Sequence, residues 1–462
     1  MTDLRDDSTI ARLRTSLGGT LLTPDTVGYD AARVVFNAMI DRHPSLIAQC
    51  TDTADVVTAL NHARNAGLEV AVRGGGHSVA GSSSTDGGLV IDLRHLNHVR
   101  VDPQTRTAEV GGGATMADLD AACQPYHLAT TGGRVSTTGV GGFTLGGGTG
   151  WLDRKFGLAC DNLVAAELVT AAGEVVHTSA DEHPELFWAL HGDGGNFGVV
   201  TSLTLALHEL PETTLALLLW SPEHGPAVVR AFRDLMQTAP DDLGGAAIYL
   251  TGTADEFVPS HLVERLCFAV VLIYAGSAAD LRELAAPLFG LGPEGTMVEP
   301  MPYADIQRAL DDPPGQRNYW SAEHLDALPD DAIDAFCAAV DDMITSSASQ
   351  HVLFPMGGAT ARAEVDDPIP WRTAPWVVHP FGLWTDAGDD ERGIQWTRNV
   401  RAAMRPWATG DVYLNFIGDE GHDRVAAGFG QHYQRLAAVK ATYDPDNVFR
   451  LNHNIIPAPS PV

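Results

Sequence analysis

Lysine is nearly absent from this sequence: Lys155 and Lys440 are the only two among 462 residues. The chain carries 29 basic and 59 acidic residues, so its formal net charge is -30. A surface that follows nucleic-acid phosphates needs clustered lysine and arginine, and an anionic membrane surface attracts the same residues. We therefore expect neither nucleic acid nor a membrane among the partners of this protein.

Cysteine and long apolar runs are scarce as well. The five cysteines lie far apart without a C-x-x-C pair, and the histidines show no metal-ligand spacing, so we expect neither a disulfide framework nor a metal site. No apolar run approaches the roughly 18 residues that cross a bilayer. The N-terminus is polar and acidic, unlike a secretory signal, so the cytoplasm is the expected location.

Motifs of several common enzyme classes are also missing. There is no G-x-x-x-x-G-K-[ST] P-loop, and residues 192–197 fail the Rossmann fingerprint because Phe197 replaces its last glycine. Neither an H-E-x-x-H pair nor a G-x-S-x-G elbow occurs. The sequence therefore does not indicate a P-loop, nicotinamide-dinucleotide, zinc-protease or serine-hydrolase site.

Glycine is abundant instead. About half of the 47 glycines lie between Gly67 and Gly198, in bursts separated by short apolar runs. The hydrophobic pattern predicts an α+β fold for this part. The predicted strands are 68–73, 88–93, 107–111 and 167–176, the last with a hairpin turn, and the predicted helices are 53–66 and 116–127.

The middle of the chain has a different pattern. Beyond about residue 210 the glycine bursts stop, and strand-like runs at 214–220 and 267–274 alternate with predicted helices at 261–266 and 330–344. A chain of this length suggests two or three domains. We therefore expect a second domain built of a sheet with helices.

Two glycine bursts are candidates for a ligand site. Gly74 to His77 follow a predicted strand, and glycines let a backbone turn tightly and gather N–H groups, as a pyrophosphate requires. A tight turn with a surface histidine explains them equally well. Residues 132–163 favour a long flat ligand lying on bare backbone, with a mobile lid as the alternative; the interleaved Val140 and Trp151 favour order.

Tyr413 and Asn415 are a candidate pair near the C-terminus. Strand alternation places both on one face, opposite Leu414. A buried tyrosine with a partner amide can act as a base or as an orienting donor. A tyrosine that only packs on a sheet is an equally good interpretation of these residues.

Five segments, in chain order, carry a resemblance to the FAD-linked oxidases of the berberine bridge enzyme-like group, in the vanillyl-alcohol oxidase superfamily. They are RGGGHSVAGSS (73–83), TTGVGGFTLGGGTGWLDRKFGLACDNLV (137–164), ELFWALHGDGGNFGVVT (185–201), YLNFIGDEG (413–421) and YDPDNVFRLNHNI (443–455). The resemblance implies an α+β, two-domain FAD-binding fold. Residues 1–210 and 405–462 would form the FAD-binding domain, and the sheet of a substrate domain, 211–404, would cover the flavin.

The resemblance also implies which residues hold FAD. His77 would carry a covalent link to the flavin, and neighbouring backbone N–H groups would bind the pyrophosphate. Val135 stands where many members have a second linking cysteine, so we expect attachment through His77 alone, as in single-link bacterial members. The other implied FAD contacts are Arg73, Gly74, Gly75, Gly76, Ser78, Gly81, Thr137, Thr138, Gly139, Gly142, Gly146, Val200, Asn452 and Asn454.

The implied reaction is oxidation of a small molecule by FAD. A C–H next to a hydroxyl or an amine of a natural-product-like substrate, as in secondary metabolism, would lose hydride, and dioxygen would become hydrogen peroxide. Tyr413 and Asn415 would assist, and the small Thr138 would leave room for dioxygen. A dehydrogenase with another electron acceptor and a catalytically silent binding protein are the alternatives. Candidates for the substrate wall, each equally explained as a core residue, are Tyr319, Trp320, His379 and Trp384.

Overall fold

The computed structural model describes residues 7–192, 194–345, 347–362 and 366–459. The elements of the first part, in chain order, are α1 (Asp7–Ser16), β1 (Thr20–Leu22), α2 (Tyr29–Arg33), β2 (Leu46–Gln49), α3 (Thr53–Ala66), β3 (Val70–Arg73), β4 (Leu89–Asp92), β5 (Val99–Asp102), β6 (Thr107–Gly111), α4 (Met116–Cys123), β7 (Leu128–Ala129), α5 (Val140–Leu145), α6 (Asp153–Phe156), β8 (Leu163–Thr170), β9 (Val175–Ser179), α7 (Pro184–Ala189), β10 (Gly198–Ala206) and β11 (His208–Glu209). The strands form a sheet in the order β1-β2-β4-β3, a sheet in the order β5-β6-β10-β8-β9, and a β7–β11 pair. The predicted α+β class is confirmed.

Helix α3 shows why the bounds of a helix could be predicted from the local sequence. The Asp52 side chain accepts a hydrogen bond from the backbone N–H of Asp55 at its start, and Gly67, at φ 61°, closes its end. Its buried face includes Val56 and Leu60. The helix connects β2 to β3, both of which pair in parallel with β4. The glycine loop that follows β3 therefore starts at the carboxyl end of a parallel strand.

The second part builds one large sheet. Its elements are β12 (Thr214–Trp220), α8 (Gly225–Thr238), β13 (Leu243–Thr251), β14 (Leu266–Tyr274), α9 (Ala278–Leu284), α10 (Ala286–Phe289), β15 (Gly295–Pro300), α11 (Tyr303–Ala309), β16 (Arg317–Trp320), β17 (Glu323–Leu325), α12 (Asp330–Ala338), β18 (Gln350–Pro355), α13 (Ala359–Arg362), β19 (Trp376–Trp384) and α14 (Asp390–Met404). The strand order is β15-β12-β14-β13-β18-β19-β16, and β17 pairs with β19.

The two faces of the large sheet have different neighbours. Helices α8, α12 and α14 cover one face, with Phe232, Phe336 and Trp396 in the shared core. We call the opposite face the front face. Its core includes Val377 of β19 together with Trp151 and Tyr413, which come from segments before and after the sheet. The front face is therefore where the three parts of the chain meet.

Some predicted elements differ from those observed. Residues 261–265 form turns with one bridge at Val263, and Leu266 already belongs to β14; no helix forms, since Glu264 adopts φ 56°, which no α-helix continues. The predicted helix at 116–127 ends at Cys123 and tightens into a 3-10 turn, because His127 is also left-handed at φ 54°. The predicted helix at 330–344 ends at Ala338. None of the helices in the described ranges is both long and apolar enough to span a membrane.

The C-terminal segment returns to the first part of the chain. It contains α15 (His422–Phe429) and α16 (Tyr433–Tyr443). On α16, the fully buried Lys440 ammonium donates to the Asp444 carboxylate at 2.6 Å and to the backbone oxygens of Asn196 and Phe449, at 2.6 and 2.8 Å. Since a buried cation needs such partners, this ion pair ties the tail to the loop at Asn196.

Replacing Lys440 with methionine should lower the free energy of unfolding by about 3–5 kcal/mol, because it leaves the buried Asp444 carboxylate without its counter-ion. Urea denaturation of the two proteins measures this difference. Arg450→Ala is the matched control, since its half-exposed pair with Glu69, at 3.3 Å, should cost less than about 1 kcal/mol. Equal losses in the two variants would contradict the assignment.

Candidate active site

Two glycine loops pass each other closely beside β3. A Cβ atom at Gly139 would overlap the backbone nitrogen of Gly75, and one at Gly75 would overlap the nitrogen of Gly139. A Cβ at Gly74 would lie 3.1 Å from the carbonyl oxygen of Gly112. Only glycine allows this approach, so the loops after β3 and before α5 form one bare-backbone surface.

The loop after β3 turns a set of backbone donors towards that surface. Gly76, at φ 75°, provides the left-handed step of the turn. Within the described residues, the backbone N–H groups from Gly74 to Ser78 donate to no protein acceptor. Arg73 fixes the base of the loop by donating to the carbonyls of Ala32 and Val34. Adjacent free N–H groups of this kind suit an anion such as a phosphate.

His77 lies at the edge of this surface. Its ring stacks on Phe36 with the ring centroids 4.0 Å apart, and its Nε2 lies 2.9 Å from the hydroxyl of Thr137. Burial, with a smaller contribution from the Arg73 charge, lowers the pKa of His77 to about 4. The imidazole is therefore neutral at physiological pH, which is its nucleophilic form.

An aromatic wall on the front face connects His77 with Tyr413. Successive ring centroids are 4.0 to 6.1 Å apart, so the rings form an unbroken series. Rings in edge-to-face and offset contact at such distances support one another and suit a flat or cyclic ligand. From His77 onwards, the members are Phe36, Trp320, Phe381, His379, Phe416 and Tyr413.

Tyr413 and Asn415 lie side by side, although not on a strand. Leu414–Phe416 form a 3-10 turn instead of the predicted strand, and the Asn415 side-chain amide donates to the Tyr413 hydroxyl at 3.0 Å. The backbone N–H of Thr149 also donates to that oxygen, at 3.3 Å. With both lone pairs engaged, the phenolic proton is left to donate elsewhere. Burial raises the pKa of Tyr413 to about 12, so this phenol is protonated at neutral pH.

His379 presents the complementary group. Its Nδ1 lies 2.8 Å from the backbone carbonyl of Ser321, which can only accept, so Nδ1 carries the proton and Nε2 is an acceptor. Burial lowers the pKa of His379 to about 3, which keeps the ring neutral. His379 and Tyr413 both contact Phe416, with ring centroids 4.0 and 4.7 Å away. The wall therefore carries an acceptor and a donor on either side of one phenyl ring.

Comparison with known proteins connects this geometry to a family. Residues 44–179 match the FAD binding domain family, and residues 412–456 match the berberine and berberine-like family. (R)-6-hydroxynicotine oxidase of Paenarthrobacter nicotinovorans is 33% identical over 469 aligned residues, which cover 96% of this chain and 97% of that protein.

The chain belongs to the berberine bridge enzyme-like family of FAD-linked oxidases. This flavoenzyme is thus an FAD-dependent oxidoreductase, as the resemblance implied.

Solved structures agree with this family assignment. The crystal structure of 6-hydroxy-D-nicotine oxidase from Arthrobacter nicotinovorans has a TM-score of 0.85 and 30% identity, and the match covers 96% of this chain and 99% of that one. A xylooligosaccharide oxidase from Myceliophthora thermophila has a TM-score of 0.85 at 20% identity, with 97% and 99% coverage. At that identity the likeness concerns the fold alone, and the predicted two-domain FAD-binding fold is confirmed.

The residues of the flavoenzyme fit FAD. The donors from Gly74 to Ser78 suit its pyrophosphate, and the Gly75–Gly139 approach leaves bare backbone for a flat ring. At Gly146 a Cβ would lie on the side-chain amide of Asn415, which joins this surface to the Tyr413–Asn415 pair, whereas a Cβ at Gly142 meets nothing within 4 Å.

Replacing Gly139 with alanine should yield a folded but colourless flavoenzyme, because the added methyl group forces the two glycine loops apart. The absorbance of purified protein, relative to its protein content, measures bound flavin, and we expect at least a tenfold loss. Gly290→Ala is the matched control, since its backbone is helical and the nearest atoms lie 3.4 Å from the new methyl group. Wild-type flavin content in Gly139→Ala would contradict the close approach.

Other predicted FAD contacts also lie on this surface or around it. Asn452 donates to the carbonyl of Gly195 at 2.7 Å, while the buried side-chain oxygen of Asn454 has no hydrogen-bond partner among the described residues. The backbone carbonyl oxygen of Val200, on β10, lies so close to Gly112 that a Cβ atom there would overlap it. Gly81 closes the turn after Ser78 with a 3.0 Å backbone hydrogen bond. Their contacts with the cofactor itself stay predictions.

Only part of the predicted substrate wall faces the site. Trp320 and His379 belong to the aromatic wall, but strand alternation turns Tyr319 away, towards Arg398 on α14, whose guanidinium lies 5.7 Å from its ring. Trp384 is fully buried against the same helix and donates to Asp390 at 2.7 Å. Tyr319 and Trp384 are therefore not wall residues, because the register of β16 and β19 places them on the helix-covered face.

The structure also shows where Val135 lies, the position at which many family members are expected to have a second linking cysteine. Val135 lies two residues before Thr137, the partner of His77. Cys160 is fully buried in the front-face core, where burial raises its pKa well above the ordinary value. A thiol in that environment is unreactive, so the expectation of a single link through His77 stands as a prediction.

Sequence reasoning missed three residues of the site. Phe36, which stacks on His77, comes from a segment with no recognisable motif. Phe416 lies within the YLNF motif, and its spacing from Tyr413 was the signal that could have identified it. Arg134 is the one cation between Gly132 and Gly150, and a long charged side chain in so bare a stretch needs a buried partner.

Proposed function

We propose that the enzyme oxidises a small cyclic or flat molecule at a C–H next to a hydroxyl or a neutral amine, and that dioxygen is the electron acceptor. The observation that carries this proposal is the donor of Tyr413 and the acceptor of His379 on either side of Phe416, on a wall that begins at His77. A hydroxyl or an amine has both a lone pair and a proton, and so it matches this pair of groups.

The chain supplies binding and orientation for this reaction. The phenol of Tyr413 donates to the lone pair of the substrate heteroatom, and Asn415 holds the phenol in place. His379 accepts the hydrogen bond of the substrate O–H or N–H through Nε2. Phe416, between them, contacts the carbon skeleton. These contacts fix the C–H that is to be broken, which is how positioning accelerates such a step.

FAD supplies the two-electron acceptor for the hydride, and its reoxidation by dioxygen yields hydrogen peroxide. Residues 1–210 and 405–462 would hold FAD, with His77 as the single covalent attachment, while residues 211–404 contribute half of the wall: Trp320, His379 and Phe381. Thr138 is half-buried beside Thr137, and its small side chain leaves space for dioxygen. A natural-product alcohol or cyclic amine fits the apolar wall, and dioxygen and this substrate are the partners that we propose.

Peroxide release tests this proposal. The holoenzyme is screened against secondary alcohols, sugars and cyclic amines, and we expect peroxide with at least one class. In parallel, the flavin is photoreduced without oxygen and then mixed with air-saturated buffer. Rapid return of the oxidised spectrum supports an oxidase, whereas slow return with fast reduction of an added quinone would identify a dehydrogenase. A holoenzyme that no substrate class reduces would instead favour a binding protein.

A further inference from the structure

Arg134 brings a positive charge into the front-face core that contains Tyr413. Its side chain is 14% exposed. Its guanidinium donates to the backbone and side-chain oxygens of Thr149, both at 3.2 Å, and to the backbone oxygen of Gly150 at 2.9 Å. Three hydrogen bonds to two adjacent residues fix the turn they form, which we call the 149–150 turn.

The 149–150 turn transmits this restraint to the phenol. The N–H of Thr149 donates to the Tyr413 oxygen, while the N–H of Gly150 donates to the Asp153 carboxylate at 3.2 Å. A Cβ at Gly150 would overlap the carbonyl oxygen of Gly132, so the turn also packs tightly against the chain before Arg134. The turn therefore has little freedom to move away from the phenol.

The apolar surroundings of the Arg134 guanidinium leave its charge weakly screened. The guanidinium lies 3.9 Å from the ring centroid of Phe354 and 5.0 Å from that of Trp151, so aromatic faces replace water around it. Asp153 is its counter-ion, at 3.6 Å. The other titratable groups that interact with it are Tyr303, His379 and Tyr413. In so apolar a site a charge acts strongly on its neighbours.

We propose that Arg134 is a positioning residue for Tyr413, which fixes the turn that donates to the phenol oxygen and places a positive charge beside it. This inference rests on the role of Tyr413 in the proposed function. The N–H of Thr149 occupies one lone pair, so the phenolic proton is directed towards the substrate. The charge makes that proton more acidic than burial alone would allow, which strengthens the hydrogen bond that it donates.

Titration of Tyr413 in the holoenzyme tests the inference without substrate. Biosynthetic incorporation of 3,5-difluorotyrosine makes every phenol more acidic and brings its ionisation closer to neutral pH, and fluorine NMR follows each ring separately. Tyr413→Phe identifies the Tyr413 resonance. In Arg134→Met this resonance should titrate about one pH unit higher or more, since a nearby cation favours the ionised form. Arg134→Lys keeps the positive charge, so its Tyr413 resonance should titrate close to the wild-type pH.

Two further variants complete the design. Arg154→Met removes another buried arginine, which donates to the backbone oxygens of Leu243 and Met356 at 3.0 and 2.6 Å, and should leave the Tyr413 titration unchanged. Asp153→Asn removes the counter-ion of Arg134 and should shift the Tyr413 titration to lower pH. This variant also keeps the inference testable if Arg134→Met does not fold.

An unchanged Tyr413 titration in folded Arg134→Met, or an upward shift in Asp153→Asn, would overturn the inference. If instead Arg134→Met shifts the titration while no substrate class yields peroxide, the proposed function fails and the positioning role stands.

Discussion

His77→Ala is expected to give a folded protein from which acid precipitation releases all of the yellow cofactor into the supernatant, whereas the wild-type pellet stays yellow. The imidazole is the single nucleophile that we place at the flavin edge, and it is neutral because burial and Arg73 lower its pKa to about 4. The effect is all-or-none because a covalent bond is either present or absent. Intact-mass measurement of the denatured chain gives the same answer independently.

His98→Ala is the control for His77→Ala. His98 is a partly exposed histidine directly before β5, in the other sheet of the first part of the chain, paired with Glu109 at 3.1 Å, and its loss should leave the wild-type colour in the pellet. A His77→Ala pellet that stays yellow would show that another residue carries the link. A colourless wild-type pellet would show that the flavin is bound without a covalent bond.

Tyr413→Phe should lower kcat about 100-fold, in line with the loss of one positioned hydrogen-bonding group in catalysis. The ring stays and only the oxygen is lost, so packing against Phe416 and Trp371 is preserved. Flavin content and the rate of reoxidation by air should not change, because the phenol acts on the substrate. Stopped-flow measurement of the two half-reactions separates these effects.

Tyr249→Phe provides the comparison for Tyr413→Phe. Tyr249 is equally buried but belongs to the helix-covered core of the large sheet, where its hydroxyl lies 3.4 Å from the backbone oxygen of Pro222. Removing that oxygen should leave kcat unchanged. If both variants lose activity alike, or if Tyr413→Phe keeps more than half of it, the phenol has no direct role.

Local patterns were sufficient for much of the fold. Helix α3 and the strand 214–220 have the predicted bounds, because a cap, a closing glycine and an apolar run each specify their element without distant contacts. The helix predicted at 261–266 was wrong for a local reason too, since the left-handed conformation of Glu264 interrupts a short helical pattern. Such single-residue conformations depend on packing that a pattern of apolar residues does not contain.

The site was less predictable, because its residues come from distant segments. The pairing of β16 and β19 decides that Trp320 and His379 lie on the front face while Tyr319 and Trp384 do not. No spacing in the sequence reveals that pairing. Phe36 reaches His77 because its backbone N–H donates to the carbonyl of Gly76 at 3.1 Å, a contact between two segments that no sequence motif connects.

The position of Lys440 has a consequence for biosynthesis. The ammonium joins Asn196 to a segment that the ribosome makes about 240 residues later, and Tyr413 also arrives after both sheets of the first part and the large sheet have been synthesised. A nascent chain that ends before this segment therefore has the glycine loops without the phenol and without the tail that holds the loop at Asn196. We expect cofactor capture only after this segment has emerged from the ribosome, and arrested chains of graded length, incubated with FAD, would show at which residue retention begins.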